Sequence, residues 1–178
     1  MMSTSFDLIV LADELLVLEP LQSSHFEVLF QAASDPLIWE QHPMKLRYQE
    51  PVFREYFDSA ILSKGALLVR DSQTDEVAGC SRYYDFDSEN STVKIGYTFL
   101  TRKYWGGKYN GALKSVMLTY AFQFVDRVLF EVGSNNMRSQ KAMEKIGGLK
   151  IGETMLTFSG APTSLNFIYA IDKSNWKV

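Results

Sequence analysis

Residues 92–132, Thr92-Val93-Lys94-Ile95-Gly96-Tyr97-Thr98-Phe99-Leu100 through the glycine-rich Trp105-Gly106-Gly107-Lys108-Tyr109-Asn110-Gly111 to Arg127-Val128-Leu129-Phe130-Glu131-Val132, decide the fold. The first nine residues are rich in β-branched and aromatic side chains, as a strand is. After the glycines, Ala112, Leu113, Val116, Met117, Tyr120, Ala121, Phe124 and Val125 recur at helical spacing. They make a stripe broad enough to lie on a sheet. Arg127–Val132 is again a strand. Strand, helix, strand over this length is a crossover unit, and a crossover joins parallel strands.

Working outward, Leu15–Leu18 reads as a short strand. Ser24-x-x-Glu27 has the pattern of a capping box, and Phe26, Leu29, Phe30 and Ala33 continue it as a helix. Pro51 suits the first turn of a second helix, which Gly65 stops. Ala66–Arg70 and Val77–Tyr84 form a hairpin, and the polar loop Asp85–Ser91 leads back to Thr92. Beyond the crossover, Ser139, Ala142, Met143 and Ile146 share one face of a further helix that ends at Gly147-Gly148. Lys150–Phe158 and Ser164–Ile171 close the chain as two strands. The order is β-α-α-β-β-β-α-β-α-β-β. This predicts an α/β protein built on a mixed sheet, with antiparallel hairpins around one parallel pair and helices on the faces.

The 178 residues fit one domain, 1–178, with its core over about 14–176. A net charge of −3 argues against a nucleic-acid coat, which wants a basic surplus. Cys80 is the one cysteine, so there is no internal disulfide. With His25 and His42 the only histidines, a Cys/His zinc site is excluded, and no metal is expected. No apolar run reaches the length of a membrane helix. The first basic residue is Lys45, which speaks against a signal or transit peptide, so the expected location is the cytoplasm.

Charge is unevenly spread. Residues 1–44 hold seven acids and no base, and from Lys45 onward 18 bases face 14 acids. From Asn90 to Val125 there is no acid, but there are Lys94, Arg102, Lys103, Lys108 and Lys114. Such a stretch points to an anion site. The glycine loop lies inside it, just before a helix, where unpaired N–H groups and the dipole favour phosphate. A Walker loop is excluded, because no Gly-x-x-x-x-Gly-Lys-Ser/Thr run exists. A dinucleotide fingerprint is closer, with Gly106 and Gly111 as outer glycines and Glu131 placed as a ribose-binding acid. Lys108 stands at its middle glycine, however, and Thr101–Trp105 intervene where the turn should be tight. The third reading is the pyrophosphate loop of an acyl-CoA-binding acetyltransferase.

That third reading is the one the wider sequence resembles. Leu18-Glu19-Pro20-Leu21, Asp35-Pro36-Leu37-Ile38-Trp39, Gly79-Cys80-Ser81-Arg82-Tyr83, Ile95-Gly96-Tyr97-Thr98, Tyr104-Trp105-Gly106-Gly107-x-x-Asn110, Tyr120-Ala121-Phe122, Asn136-x-Arg138-Ser139, Glu144-Lys145-Ile146-Gly147 and Trp176 stand in the order and spacing of the GNAT superfamily of N-acetyltransferases. The group they resemble is the ribosomal-protein N-terminal acetyltransferases. The resemblance implies acetyl-CoA as co-substrate, lying in a cleft where the strands 92–100 and 127–132 splay apart. Thr98, Phe99 and Leu100 would hold the pantetheine arm. The backbone of Gly106, Gly107, Lys108, Tyr109, Asn110 and Gly111 would hold the pyrophosphate. Asn136 and Ser139 would line the thioester side. The acceptor is implied to be an amine, a peptide or protein N-terminus or another amine of low pKa, which attacks directly without an acyl-enzyme. Its pocket would involve Trp39, His42 and the turn 159–163. No nucleic acid or membrane partner is implied.

The chain departs from the family in its acids and bases. Lys94 stands where many relatives have a glutamate, Met143 where many have a tyrosine acid, and Phe158 where some have a glutamate base. Lys108 replaces a small residue and Ala112 a glutamate. Ser139 is left as the hydroxyl that protonates the departing thiolate. Glu131, the only acid in the two central strands, acts as a base or pairs with a lysine. These departures keep a second function open, a non-catalytic acyl-CoA-binding module, with a dinucleotide-binding protein as a third.

Overall fold

The structure, a computed structural model, describes residues 6–158 and 161–177. Its eight strands form one sheet in the order β1-β2-β3-β4-β5-β6-β8-β7. They are β1 (Leu11–Ala12), β2 (Leu16–Pro20), β3 (Ala66–Asp71), β4 (Val77–Asp87), β5 (Thr92–Leu100), β6 (Arg127–Gly133), β7 (Leu149–Leu156) and β8 (Ser164–Asp172). Every neighbouring pair is antiparallel except β5 with β6, which is parallel. The mixed sheet expected from sequence is present, with one strand more: β1 has only two residues, too few to leave a periodic trace.

Four helices cover the faces: α1 (Phe26–Ala33), α2 (Glu50–Ser63), α3 (Tyr109–Ala121) and α4 (Met137–Lys145). β3 shows how the layers are built, because a strand buried on both sides alternates its side chains between two cores. Leu67 and Val69 join the core under α3, with Tyr83, Val93, Ile95, Leu113, Met117 and Phe130. Leu68 points the other way, into the core under α1 and α2 with Leu29, Phe53, Phe57, Cys80 and Phe99. Cys80 is therefore a core residue, and burial pushes its thiol up to about 11.

Two helix boundaries differ from the sequence reading. The Ser24/Glu27 capping box does not form. A 3-10 turn over Ser23–His25 precedes α1 instead, and the Gln22 N–H donates to His25 Nδ1 at 3.2 Å. At the end of α2 the left-handed residue is Lys64, at φ 54°, rather than Gly65. Gly65 serves a different need: a Cβ there would lie 2.0 Å from the Tyr83 carbonyl oxygen, so only glycine lets the chain pass β4.

β5 carries the feature on which the site depends. Tyr97 has φ 52°, and the register against β4 shifts between Cys80 and Arg82. This is a β-bulge, with Tyr97 and Thr98 together opposite Ser81. It moves the following side chains by one position. Val93 and Ile95 face α3, yet Tyr97 packs with the α1/α2 core and Leu100 with the α3 core. The Tyr56 hydroxyl on α2 donates to the Tyr97 carbonyl at 2.7 Å and holds the turned peptide in place.

Candidate active site

β5 and β6 are joined over three rungs, Thr92 to Arg127, Val93 to Val128 and Lys94 to Leu129, and pair no further. Beyond Lys94 the strands part, and the β5 edge from Ile95 to Leu100, which holds the expected pantetheine residues Thr98, Phe99 and Leu100, has no strand beside it. Phe99 and Leu100 bury their side chains in opposite cores, which leaves their backbone as the part a ligand can reach. The Leu100 carbonyl is already taken by the Trp105 indole N–H at 2.8 Å. On the α3 side of the opening, Thr98 Oγ1 is 2.8 Å from Ser81 Oγ and accepts from Lys114 Nζ at 2.8 Å.

The glycine loop lies at the mouth of this opening. α3 begins earlier than its apolar stripe suggested, at Tyr109, so Asn110 and Gly111 belong to its first turn and not to a loop. No side chain caps this helix, and its N-cap residue, Lys108, is exposed. Gly106 takes φ 70°, a conformation that favours glycine. A Cβ built on Gly106, Gly107 or Gly111 would meet nothing within 4 Å. The glycines thus face open space with uncapped N–H groups behind them, the arrangement that admits a phosphate.

The opposite face of the opening, under α1 and α2, is polar and aromatic. Lys94 Nζ donates to Glu131 Oε1 at 2.7 Å and lies 3.0 Å from Asp85 Oδ2. Tyr84 donates to the other oxygen of Glu131 at 3.1 Å. Burial and the Glu131 charge raise the Tyr84 phenol above its usual range. Tyr84 touches Tyr97, with ring centroids 5.2 Å apart, and Arg82 stacks 4.0 Å above the Tyr97 ring. Lys94 is thus paired with an acid of β6, across the point where the strands part.

Several expected site residues sit differently from the sequence reading. Ser139 stands four residues before Met143, on the same side of α4, but the buried residues of that helix are Gln140 and Met143. Ser139 is half-buried in the first turn, and its N–H donates to Asn136 Oδ1 at 3.1 Å. Asn136 is therefore the N-cap of α4, with its carbonyl oxygen committed to the helix. Trp39 is core, with its indole N–H donating to the Ala33 carbonyl at 2.8 Å. His42 is half-buried beside Phe158, ring centroids 5.8 Å apart. Ser159 and Gly160 of the expected acceptor turn lie outside the described residues.

The acid-free stretch is also less of an anion site than it looked. Arg102 pairs with Asp35 and Lys103 with Glu76, acids far away in sequence. Lys114 is buried, and only Lys108 is left exposed at the glycine loop without an acid partner among the described residues. Sequence reasoning counted Lys114 only as one charge of the basic run, and gave Arg47, Arg82 and Tyr56 no part in the site. Lys114 had a signal, since it lies on the stripe with Met117, Leu118 and Ala121. Arg82 had one as well, sharing the parity of Cys80 in a doubly buried strand. Arg47 lies in an aperiodic segment and had none.

A family model described as the GNAT acetyltransferase domain matches residues 16–148. The chain belongs to the GNAT acetyltransferases. As a member of that family the acetyltransferase draws its acetyl group from acetyl-CoA. Among solved structures, a GCN5-related N-acetyltransferase from Brucella melitensis superposes with a TM-score of 0.83 at 19% identity, covering 94% of this chain and 80% of that one. A GNAT-family acetyltransferase from Bacillus anthracis gives 0.76 at 20% identity over 93% and 99%. RimJ of Mycobacterium smegmatis, solved with CoA-disulfide, gives 0.72 at 14% identity over 93% and 87%. Identities this low establish a shared fold. A comparison with curated proteins returned no match. No helix among the described residues is long and apolar enough to cross a membrane.

Proposed function

We propose that the acetyltransferase transfers the acetyl group to a primary amine of low pKa, above all the α-amino group of a peptide or protein N-terminus. The observation that carries this reading is the Glu131 carboxylate on the acceptor face, beside the point where β5 and β6 part. The residues suit acetyl-CoA: open glycines before an uncapped helix for the pyrophosphate, and the β5 edge at Thr98–Leu100, uncovered by any strand and engaged only at the Leu100 carbonyl by Trp105, for the pantetheine amides. Bound there, acetyl-CoA supplies an activated thioester carbonyl.

The protein's own part in the reaction is modest. The amine nitrogen forms its bond to the carbonyl carbon as the carbon–sulfur bond breaks. Glu131 receives the proton that the amine loses, directly or through one water. The Ser139 hydroxyl, which has no partner among the described residues, donates a proton toward the departing sulfur and is restored from solvent. An α-amino group at about pKa 7.8 is roughly a quarter neutral near pH 7.4, whereas a lysine amine at about 10.4 is neutral only about once in a thousand. Both oxygens of Glu131 already accept a hydrogen bond, from Lys94 and from Tyr84, which favours acceptors that arrive neutral. Positioning against the thioester can then supply most of the rate.

The test is release of free CoA thiol from acetyl-CoA by the pure protein with a panel of amines. Peptides with a free N-terminus should turn over faster than spermidine or a lysine side chain. Turnover of polyamines with none of peptide N-termini would overturn the acceptor class. Acetyl-CoA binding with no thiol release on any amine would favour the non-catalytic acyl-CoA module instead.

A further inference from the structure

Under α1 and α2 lie two guanidiniums with no carboxylate. Arg47 is 6% exposed and Arg82 is 4% exposed. They flank the same ring, with Cζ of Arg47 4.7 Å and Cζ of Arg82 5.6 Å from the centroid of Tyr56. Among the described residues no Asp or Glu forms an ion pair with either, whereas Arg54, Arg102 and Arg127 each have one and Arg70 has two. A buried cation without a counter-charge is costly, and aromatic faces offset only part of that cost. Arg82 spends one nitrogen on the Tyr56 carbonyl and the Ser59 hydroxyl, at 3.3 and 3.2 Å, but its buried Nε has no partner.

Arg47 meets a second mismatch. The Met44 N–H donates to His42 Nδ1 at 2.9 Å. That assigns the acceptor nitrogen of the neutral ring and puts its proton on Nε2. Nε2 lies 3.2 Å from Nη1 of Arg47. Both atoms are then donors, turned toward each other with no acceptor between them. Burial, and then the Arg47 charge, push the His42 pKa down to about 3, so the ring does not relieve the mismatch by changing its proton count near neutrality. Trp39 and Tyr56 hold the guanidinium plane, and Phe158 closes the other side of the imidazole.

We infer that Arg47 and His42 form a carboxylate receptor, so that the preferred acceptor carries an anionic group on the same molecule as its amine. One carboxylate oxygen accepts from both donors and supplies the counter-charge that the two arginines lack. The inference rests on the amine-acetylating reading and narrows its acceptor to acidic amines. The carboxylate has two possible sources, an acidic side chain near a peptide N-terminus or the α-carboxylate of a free amino acid, and the test separates them.

The experiment measures binding of N-acetylated products by calorimetry with CoA present, which requires no turnover. One pair of probes is N-acetyl-Ala-Glu-Ala-amide against N-acetyl-Ala-Gln-Ala-amide. The other is N-acetylalanine against N-acetylalaninamide. A charged probe should bind at least about tenfold tighter than its neutral match, the usual scale for a charge-assisted hydrogen bond to a partly buried site. The pair that shows the preference identifies the source. Arg47→Gln should shrink the ratio to about threefold or less. Equal affinity within both pairs, no binding of any charged probe, or a ratio unchanged in Arg47→Gln would overturn the inference. If Arg47→Gln does not fold, the wild-type pairs decide, and His42→Phe removes the second donor. Thiol release by the wild-type protein is scored separately. Equal turnover of charged and neutral peptides with equal product affinity removes the receptor and keeps the acetyltransferase reading. A carboxylate preference in binding with no thiol release keeps the receptor and removes that reading.

Discussion

Lys94, on the last rung of β5 before the strands part, is joined at 2.7 Å to Glu131, two residues beyond its rung partner Leu129 on β6. The pair flanks the one parallel strand contact among the described residues and is mostly shielded, with the Glu131 side chain 12% exposed. Removing one partner leaves the other partly buried and unmatched, which costs more than removing both. Lys94→Met should lower stability by about 1–3 kcal/mol. The double variant with Glu131→Met should recover much of the loss. Urea midpoints for the four members of this cycle test it, and strict additivity would show that the pair is not coupled.

Gly107→Asp places an anion and a Cβ at the mouth of the opening. The Cβ meets nothing within 4 Å, so the fold should survive. Acetyl-CoA affinity should fall by about tenfold or more through like-charge repulsion. Titration calorimetry with a parallel melting curve checks both halves, and unchanged affinity would place the phosphates elsewhere.

Ser139 and Asn136 can be separated by measurement. Asn136→Ala removes the cap of α4 and should cost about 1 kcal/mol of stability. Ser139→Ala leaves that cap in place. It should lower kcat with little change in acetyl-CoA binding, as for an interaction made only in the transition state. An unchanged kcat would leave Ser139 as a helix residue without a part in the reaction.

Burial pushes the Lys114 ammonium down to about 7, against about 10.4 in an unfolded chain. Between those values the unfolded state binds a proton that the folded state does not, so stability rises with pH, by at most about 1.4 kcal/mol per unit. Below about pH 7 both states are charged, the penalty is fully present and the slope vanishes. Lys114→Met should remove this rise, and its gain over wild type should be larger at pH 6 than at pH 10. Parallel stability-versus-pH curves for the two proteins would contradict the assignment.

The fold was legible because its elements are strongly patterned. The strand Thr92–Leu100 was read to the residue, and the crossover unit fixed the one parallel pair. What sequence could not show is set by tertiary geometry. A period of two assigns Val93, Ile95, Tyr97 and Phe99 to one face, but the bulge at Tyr97 splits them, and no residue type there announces a left-handed turn. The charge run from Lys94 to Lys114 looked uncompensated because Asp35, Glu76 and Glu131 lie outside it and fold back onto it. Ser139 sat on an apolar spacing, yet it falls in the first turn of α4 and is only half-buried, while Gln140 and Met143 are buried.

The hydrogen bond from Tyr56 to the Tyr97 carbonyl gives α2 a say in the shape of β5. Tyr56 also lies against both guanidiniums, so one side chain belongs to the proposed carboxylate receptor and to the bend of β5 at once. Trimming Tyr56 to admit bulkier acceptors would therefore disturb the bend of β5 as well. Variation for new substrates is better sought at His42 and Phe158, whose rims can be recut without touching the strand that both halves of the reaction share.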